Sequence, residues 1–331
     1  MKDSYPKAPL VRFCCLLGIT RQAYYQHFWR IQAISIEEDF IIKEVLRIRE
    51  NHRRMGTRKM YELLEPFMLR HEIKMGRDAL FDLLAAHNLL VRRKRRKFST
   101  TDSYHHWHKH PNLILDFVPL APNQLWVSDI TYFDAKFDSL YISLVTDAYS
   151  HKVVGYQIAD SLKAIESIQA LEMALNNIEG PVSQLIHHSD RGSQYCCQEY
   201  VAILKDKAIS ISMTQSGDPR ENAIAERING IVKQEYMDFY EIGNIEQAKQ
   251  YLENAIQLYN TERPHLSLGM LTPDNVHKNN LQVEKLWKNK SYSRPPAACP
   301  MEEGATVGQN NFYQINNTSI QNTNIVNSLQ D

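Results

Sequence analysis

Apolar positions along this chain keep three rhythms in succession. Residues 8–30 open with a short apolar run (Leu10, Val11, Phe13, Cys14, Cys15, Leu16, Leu17), then Gly18, then Thr20 ahead of a second run. A glycine at a turn followed by a hydroxyl N-cap joins two short helices, so this stretch predicts a helix-turn-helix. From Ile36 to about His52, the positions Phe40, Ile41, Val45, Leu46 and Ile48 recur at helical spacing. Gly56-Thr57 then breaks the pattern and starts a helix from Arg58 to Leu69, and a further helix from Asp78 to His87 follows Gly76. Residues 36–98 therefore read as a second helical module, with cations at its turns (Arg53, Arg54, Arg58, Lys59, Arg77).

At Asn123 the spacing changes. Gln124 to Phe133, Ser139 to Tyr149 and Lys152 to Ile158 are rich in β-branched and aromatic residues, which predicts three strands in a meander. A helix from Lys163 to Ile178, a strand from Gln184 to His188, a helix from Gln194 to Asp206 and a strand from Ile209 to Met213 follow, and long helices then occupy about 220–238 and 245–260. This order predicts an α/β class, a mixed five-stranded sheet layered with helices, over 121–280. Residues 99–120 are the linker into it. After about 290 the chain turns to Asn, Ser, Thr, Gln and Pro, the composition of a disordered tail over 290–331.

At 331 residues the chain is long enough for two or three domains. It has 38 basic and 38 acidic side chains, unevenly spread: residues 1–110 carry 22 basic against 12 acidic, a net of +10, and residues 111–290 carry 15 against 23, a net of −8. A cationic first third joined to a carboxylate-rich body suggests a polyanion-binding module attached to a body that gathers cations. The run Arg92, Arg93, Lys94, Arg95, Arg96, Lys97 suits phosphate contact best, because six adjacent cations repel one another inside a packed element. Five cysteines without a Cys-x-x-Cys spacing read as reduced thiols. The absence of a long apolar run and of a signal-peptide pattern at the N-terminus predicts a cytoplasmic protein.

Three acidic positions stand out. Asp129 lies inside the first strand (W-V-S-D-I-T-Y), where an inward carboxylate is costly unless it meets a cation. Asp190 follows the fourth strand (H-H-S-D-R-G-S-Q-Y), at the end where α/β sheets place ligands. Glu226 lies on the helix that starts near Arg220 (E-N-A-I-A-E). Taken singly, each also reads as a cap, a turn former or a solvated helix residue.

Together with the later Y-N-T-E-R-P-H-L-S-L-G-M-L-T-P, these segments resemble the transposases of the insertion-sequence 3 family, specifically their OrfB-type protein. The resemblance spans most of 8–276, since the N-terminal helices and G-T-R-K-M-Y-E-L-L also resemble that family's DNA-binding modules. It implies an RNase H-like, retroviral-integrase-like core and makes Asp129, Asp190 and Glu226 an acidic triad binding two Mg²⁺ or Mn²⁺ ions. It also implies DNA cleavage and strand transfer at terminal inverted repeats, a homo-oligomeric synaptic complex, and a possible upstream OrfA-type partner or fusion. One departure is local: Arg227-Ile228-Asn229 follow Glu226 where aromatic residues are common.

Beside the triad, Arg191, Ser193, Asn222 and Lys233 are candidate DNA contacts or supports of the site, and His187 or His188 could meet the scissile phosphate. Arg263-Pro264-His265 reads as a structural turn. His105, His106, His108 and His110 lack zinc-ligand spacing. A catalytically silent DNA-binding regulator is the alternative function, and an RNA/DNA-hybrid nuclease fits poorly with two helical modules.

Overall fold

The computed structural model describes residues 9–92, 107–178, 184–215 and 219–283. The basic run beyond Arg92, His105, His106 and the 290–331 segment lie outside these residues. Helix α1 (Leu10–Leu17) ends at Gly18, whose φ of 65° lets Ile19 N–H reach back to the Cys14 carbonyl, and α2 (Arg21–Asn51) starts where the Thr20 hydroxyl accepts from Ala23 N–H. The two separate helices expected across 20–52 are one helix of 31 residues. No Gly or Pro falls between Arg21 and Asn51, so nothing in the backbone stops it.

Helices α3 (Thr57–Arg70) and α4 (Arg77–Ala86) fold back on the end of α2. They share a core of Ile41, Val45, Ile48, Met55, Met60, Leu64, Leu80 and Leu84. These positions recur at helical spacing, so each helix turns one stripe inward.

The sheet holds β1 (Leu125–Asp134), β2 (Ser139–Asp147), β3 (Val153–Ala159), β4 (Ile186–Ser189) and β5 (Ser210–Met213) in the order β3-β2-β1-β4-β5. The first three strands are an antiparallel meander, and β4 and β5 add in parallel on the other side of β1. Strand β1 is therefore central, and its alternate side chains face two apolar layers. Trp126 points to α5 (Ala164–Asn176), α6 (Ser193–Cys196) and α7 (Gln198–Asp206). Leu125 and Val127 point to α8 (Ala223–Ile231), and α9 (Ile245–Thr261) covers the β2 and β3 side of the same face.

Two expected helices are broken. The one over 194–206 splits at Cys197, whose extended backbone (ψ 153°) and thiol cap α7. The one over 220–238 starts as a 3₁₀ turn (Pro219–Asn222), becomes α8, widens to a π turn (Val232–Tyr236) and ends in another 3₁₀ turn (Met237–Phe239). A short helix, α10 (Pro273–Asn279), which the hydrophobic pattern did not suggest, packs on α9, capped by Thr272 with Pro273 in its first turn. Among the described residues no helix is long and apolar enough to cross a membrane.

Helix α5 approaches β3 at Gly155, where an added Cβ would lie 2.0 Å from the Ala170 carbonyl oxygen and 2.9 Å from Ala174 N. Both obstacles are backbone, which cannot rotate away. Gly155→Ala should therefore cost about 1–3 kcal/mol or prevent folding. Chemical denaturation tests this, and a wild-type midpoint would show that α5 does not pack there.

Candidate active site

Asp129 falls midway along β1, two residues after Val127 and so on the face covered by α8. Its Oδ2 accepts from Asn229 Nδ2 at 2.8 Å. Strand β4 runs beside β1 with Ser189 in register with Ser128, so Asp190, the next residue, emerges next to Asp129. The chain then turns: Gly192 N–H donates to Asp190 Oδ1 at 2.9 Å. Glu226 lies three residues before Asn229 on α8, on the same helical face, and is exposed. The structure thus brings together the three carboxylates named from sequence.

Their electrostatics show the proximity. Burial and then the Asp190 charge push the Asp129 carboxyl up to about 7, with a smaller push from Glu226 and an opposing hydrogen bond from Asn229. The three are not closed into a ready-made ligand set: among the described residues no group of three or more His, Cys, Asp or Glu side chains is arranged to hold a metal ion. The donor chemistry, all carboxylate oxygen, fits a hard divalent cation.

The other candidates divide by burial. Asn222 is buried and donates from Nδ2 to the Ser128 carbonyl at 2.9 Å, which ties the start of α8 to β1. Lys233 donates to the Tyr132 carbonyl and lies over the Tyr132 ring at 5.9 Å. Arg191 is half-buried beside Asp190, and Ser193 opens α6.

The two histidines are buried in the sheet. His187 Nε2 meets Ser128 Oγ at 2.8 Å and Tyr200 Oη at 2.9 Å, and His188 Nδ1 meets Ser212 Oγ at 2.9 Å. Burial holds them at about 3 and about 4, so both rings are neutral at pH 7. Each joins neighbouring elements rather than facing solvent. His108 and His110 meet edge to face at 4.9 Å.

Arg263-Pro264-His265 is the expected turn, and Arg263 is fully buried within it. Its guanidinium grips Glu235 of the π turn through two 2.8 Å bonds and donates to His265 Nε2 at 3.0 Å. Sequence reasoning leaves Glu235 without a role, as it does Asn229 and Tyr236. Asn229 had a readable signal, a polar side chain one helical turn after Glu226. Glu235 had none, since its partner lies 28 positions away.

The Integrase core domain family matches residues 119–219 and, in a second form, residues 207–273. The chain is 33% identical over 264 residues to the insertion element IS600 uncharacterized 31 kDa protein of Shigella sonnei, covering 78% of this chain and 95% of that one. It is 29% identical over 285 residues to the transposase for insertion sequence element IS629 of Shigella sonnei, covering 84% and 93%. Among solved structures, the HTLV-2 integrase catalytic core domain in complex with magnesium is similar at 20% identity and a TM-score of 0.39, over 48% of this chain and 98% of that one. An RNase H-like integrase core behind a helical N-terminal region defines the class. The chain belongs to the insertion-sequence 3 family of transposases.

Two outcomes follow. Glu235→Gln should destabilise the protein by about 3–5 kcal/mol, because it strands a buried guanidinium, whereas Asp134→Asn at the exposed end of β1 should change stability by less than about 0.5 kcal/mol. Equal denaturation midpoints for the two variants would contradict the buried pair.

The second outcome concerns pH. Asp129 has a folded pKa raised from 3.8 to about 7, so its contribution to stability is complete below pH 3.8 and is lost as pH rises through 7. In metal-free buffer the melting temperature of the wild type should fall relative to Asp129→Asn between about pH 4 and 7 and run parallel to it above that, and added Mg²⁺ should reverse the loss. Profiles parallel through that window as well would show that Asp129 is not crowded by its neighbours.

Proposed function

We propose that this transposase cuts and joins DNA by divalent-metal-dependent phosphodiester chemistry at Asp129, Asp190 and Glu226. The observation that supports the reading is the crowding of Asp129: a half-buried strand carboxylate, with the Asp190 and Glu226 charges bearing on it, carries a cost that a cation would relieve. A pair of Mg²⁺ or Mn²⁺ ions at these carboxylates supplies Lewis-acid activation of the attacking oxygen and stabilisation of the leaving one.

The chain's own groups do the rest. Asp129 is placed by the central strand and oriented by Asn229. Asp190 is held by its turn, with Oδ1 fixed by the Gly192 amide. Glu226, on α8, an element separate from the sheet, would complete the set. No side-chain nucleophile is required, since the attacking oxygen belongs to water or to a DNA 3′-hydroxyl. The helices of the first third bind the terminal repeats, and Arg92 to Lys97 with Arg191 neutralise backbone phosphates.

End cleavage of a labelled terminal repeat in Mg²⁺ or Mn²⁺ tests this, with a gel shift beside it. Asp129→Asn, Asp190→Asn and Glu226→Gln should each lower cleavage and strand transfer by several orders of magnitude and leave repeat binding within about threefold. Asp134→Asn should cleave like the wild type. Retained cleavage in any triad variant removes that residue from the site.

A further inference from the structure

The helix that carries Glu226 is tied down along its length. Asn222 bonds to Ser128, Asn229 to Asp129 and Lys233 to Tyr132, all on β1. At its far end the π turn presents Glu235 and Tyr236 in succession. Glu235 is held by Arg263, as described above. Tyr236 is held from outside the sheet domain: its hydroxyl lies 3.0 Å from Nδ1 of His52, the residue that ends α2.

His52 is buried, and its other nitrogen, Nε2, lies 3.1 Å from Glu262 Oε2, next in sequence to Arg263. The contacts close a ring, from His52 to Glu262, from the adjacent Arg263 to Glu235, and from the adjacent Tyr236 back to His52. A carboxylate at Nε2 fixes the proton there, so Nδ1 accepts from the tyrosine hydroxyl, and every polar atom of the imidazole is satisfied in one tautomer. Burial lowers the His52 pKa, in keeping with a neutral ring. The neighbouring Arg53 lies over the Phe239 and Tyr240 rings at 5.7 and 5.6 Å, just past the same turn.

Histidine is not needed to fill this space. A leucine is of similar size, but neither bond would form. What the imidazole adds is a directed link from the helical module to the end of the catalytic helix, and π turns are often found where a helix serves a site.

We propose that His52 is a positioning residue: through Tyr236 it sets where α8 holds Glu226, so that the seating of the N-terminal helical module on the core tunes metal binding. The proposal rests on the metal reading given under Proposed function. It makes the helical module more than a DNA tether, since a rotation of α2 relative to the core is transmitted to the π turn and so to α8.

The test uses the full chain and three variants, Tyr236→Phe, His52→Leu and the double variant. Tyr236→Phe keeps the ring and its packing and removes one hydrogen bond. Calorimetric titration of Mg²⁺ into DNA-free protein reads the metal directly. Hydrogen exchange reads residues 223–236 against β2, and a gel shift reads repeat binding.

Tyr236→Phe should weaken Mg²⁺ binding about three- to tenfold, the effect of one buried hydrogen bond. It should speed exchange in 223–236 but not in β2 and leave repeat binding unchanged, while the double variant binds Mg²⁺ no more weakly than His52→Leu alone. Unchanged Mg²⁺ affinity and exchange in Tyr236→Phe would overturn the proposal, as would additive losses in the double variant. Asp129→Asn separates the two readings. If that variant titrates Mg²⁺ like the wild type, the metal site lies elsewhere, and the exchange data alone decide whether His52 positions α8.

Discussion

The cost of holding the Asp129 carboxyl in the central strand, from burial first and then from the nearby Asp190 charge, is the constraint on which the integrase-core half of this protein turns. A fold would not keep Asp129 in the central strand, half out of water and beside Asp190, for stability's sake. The surrounding polar groups are arranged to tolerate it. Asn229 donates one hydrogen bond to the carboxylate, the Gly192 amide another to Asp190, and neutral His187 and His188 stitch β1, β4, β5 and α7 together without adding charge. Stability is given up at this one place, the kind of strained carboxylate that a bound cation would relieve.

The RNase H-like sheet gives two of these carboxylates fixed addresses. Asp129 lies on β1 and Asp190 is the first residue past the end of the parallel strand β4, whose last register pair, Ser128 with Ser189, sets where it emerges. Glu226 has no such guarantee, because α8 packs on the sheet through side chains. That explains why the segment from 222 to 236 bears so many specific ties, to Ser128, Asp129 and Tyr132 in the sheet, to Arg263 in the turn after α9 and to His52 in the helical module.

The sequence was legible where local pattern decides. All five strands were read to within three residues at their ends, because β-branched runs between turn signals leave little choice. The three carboxylates were singled out by element type and order, and the family resemblance made them a triad. What escaped was non-local. The break of the long helix at 231 follows from no Gly or Pro in the π turn, whose residues pair with Arg263 and His52. The unbroken α2 was misread in the opposite sense: among its described residues a buried stripe starts only at Ile41, which looks like a separate helix although the backbone is continuous. Asn222 was named as a DNA contact or support of the site and Glu235 was given no role, because a helix segment alone does not reveal which side faces a strand carbonyl or a buried arginine.

The most direct test of the central claim is anomalous scattering from Mn²⁺ in crystals of the full chain bound to terminal-repeat DNA. The account predicts manganese peaks within about 2.0–2.5 Å of the carboxylate oxygens of Asp129 and Asp190, with Glu226 drawn in from α8 to the same ions. Manganese seated elsewhere, with the Asp129 carboxylate still bonded to Asn229 and touching no ion, would contradict it.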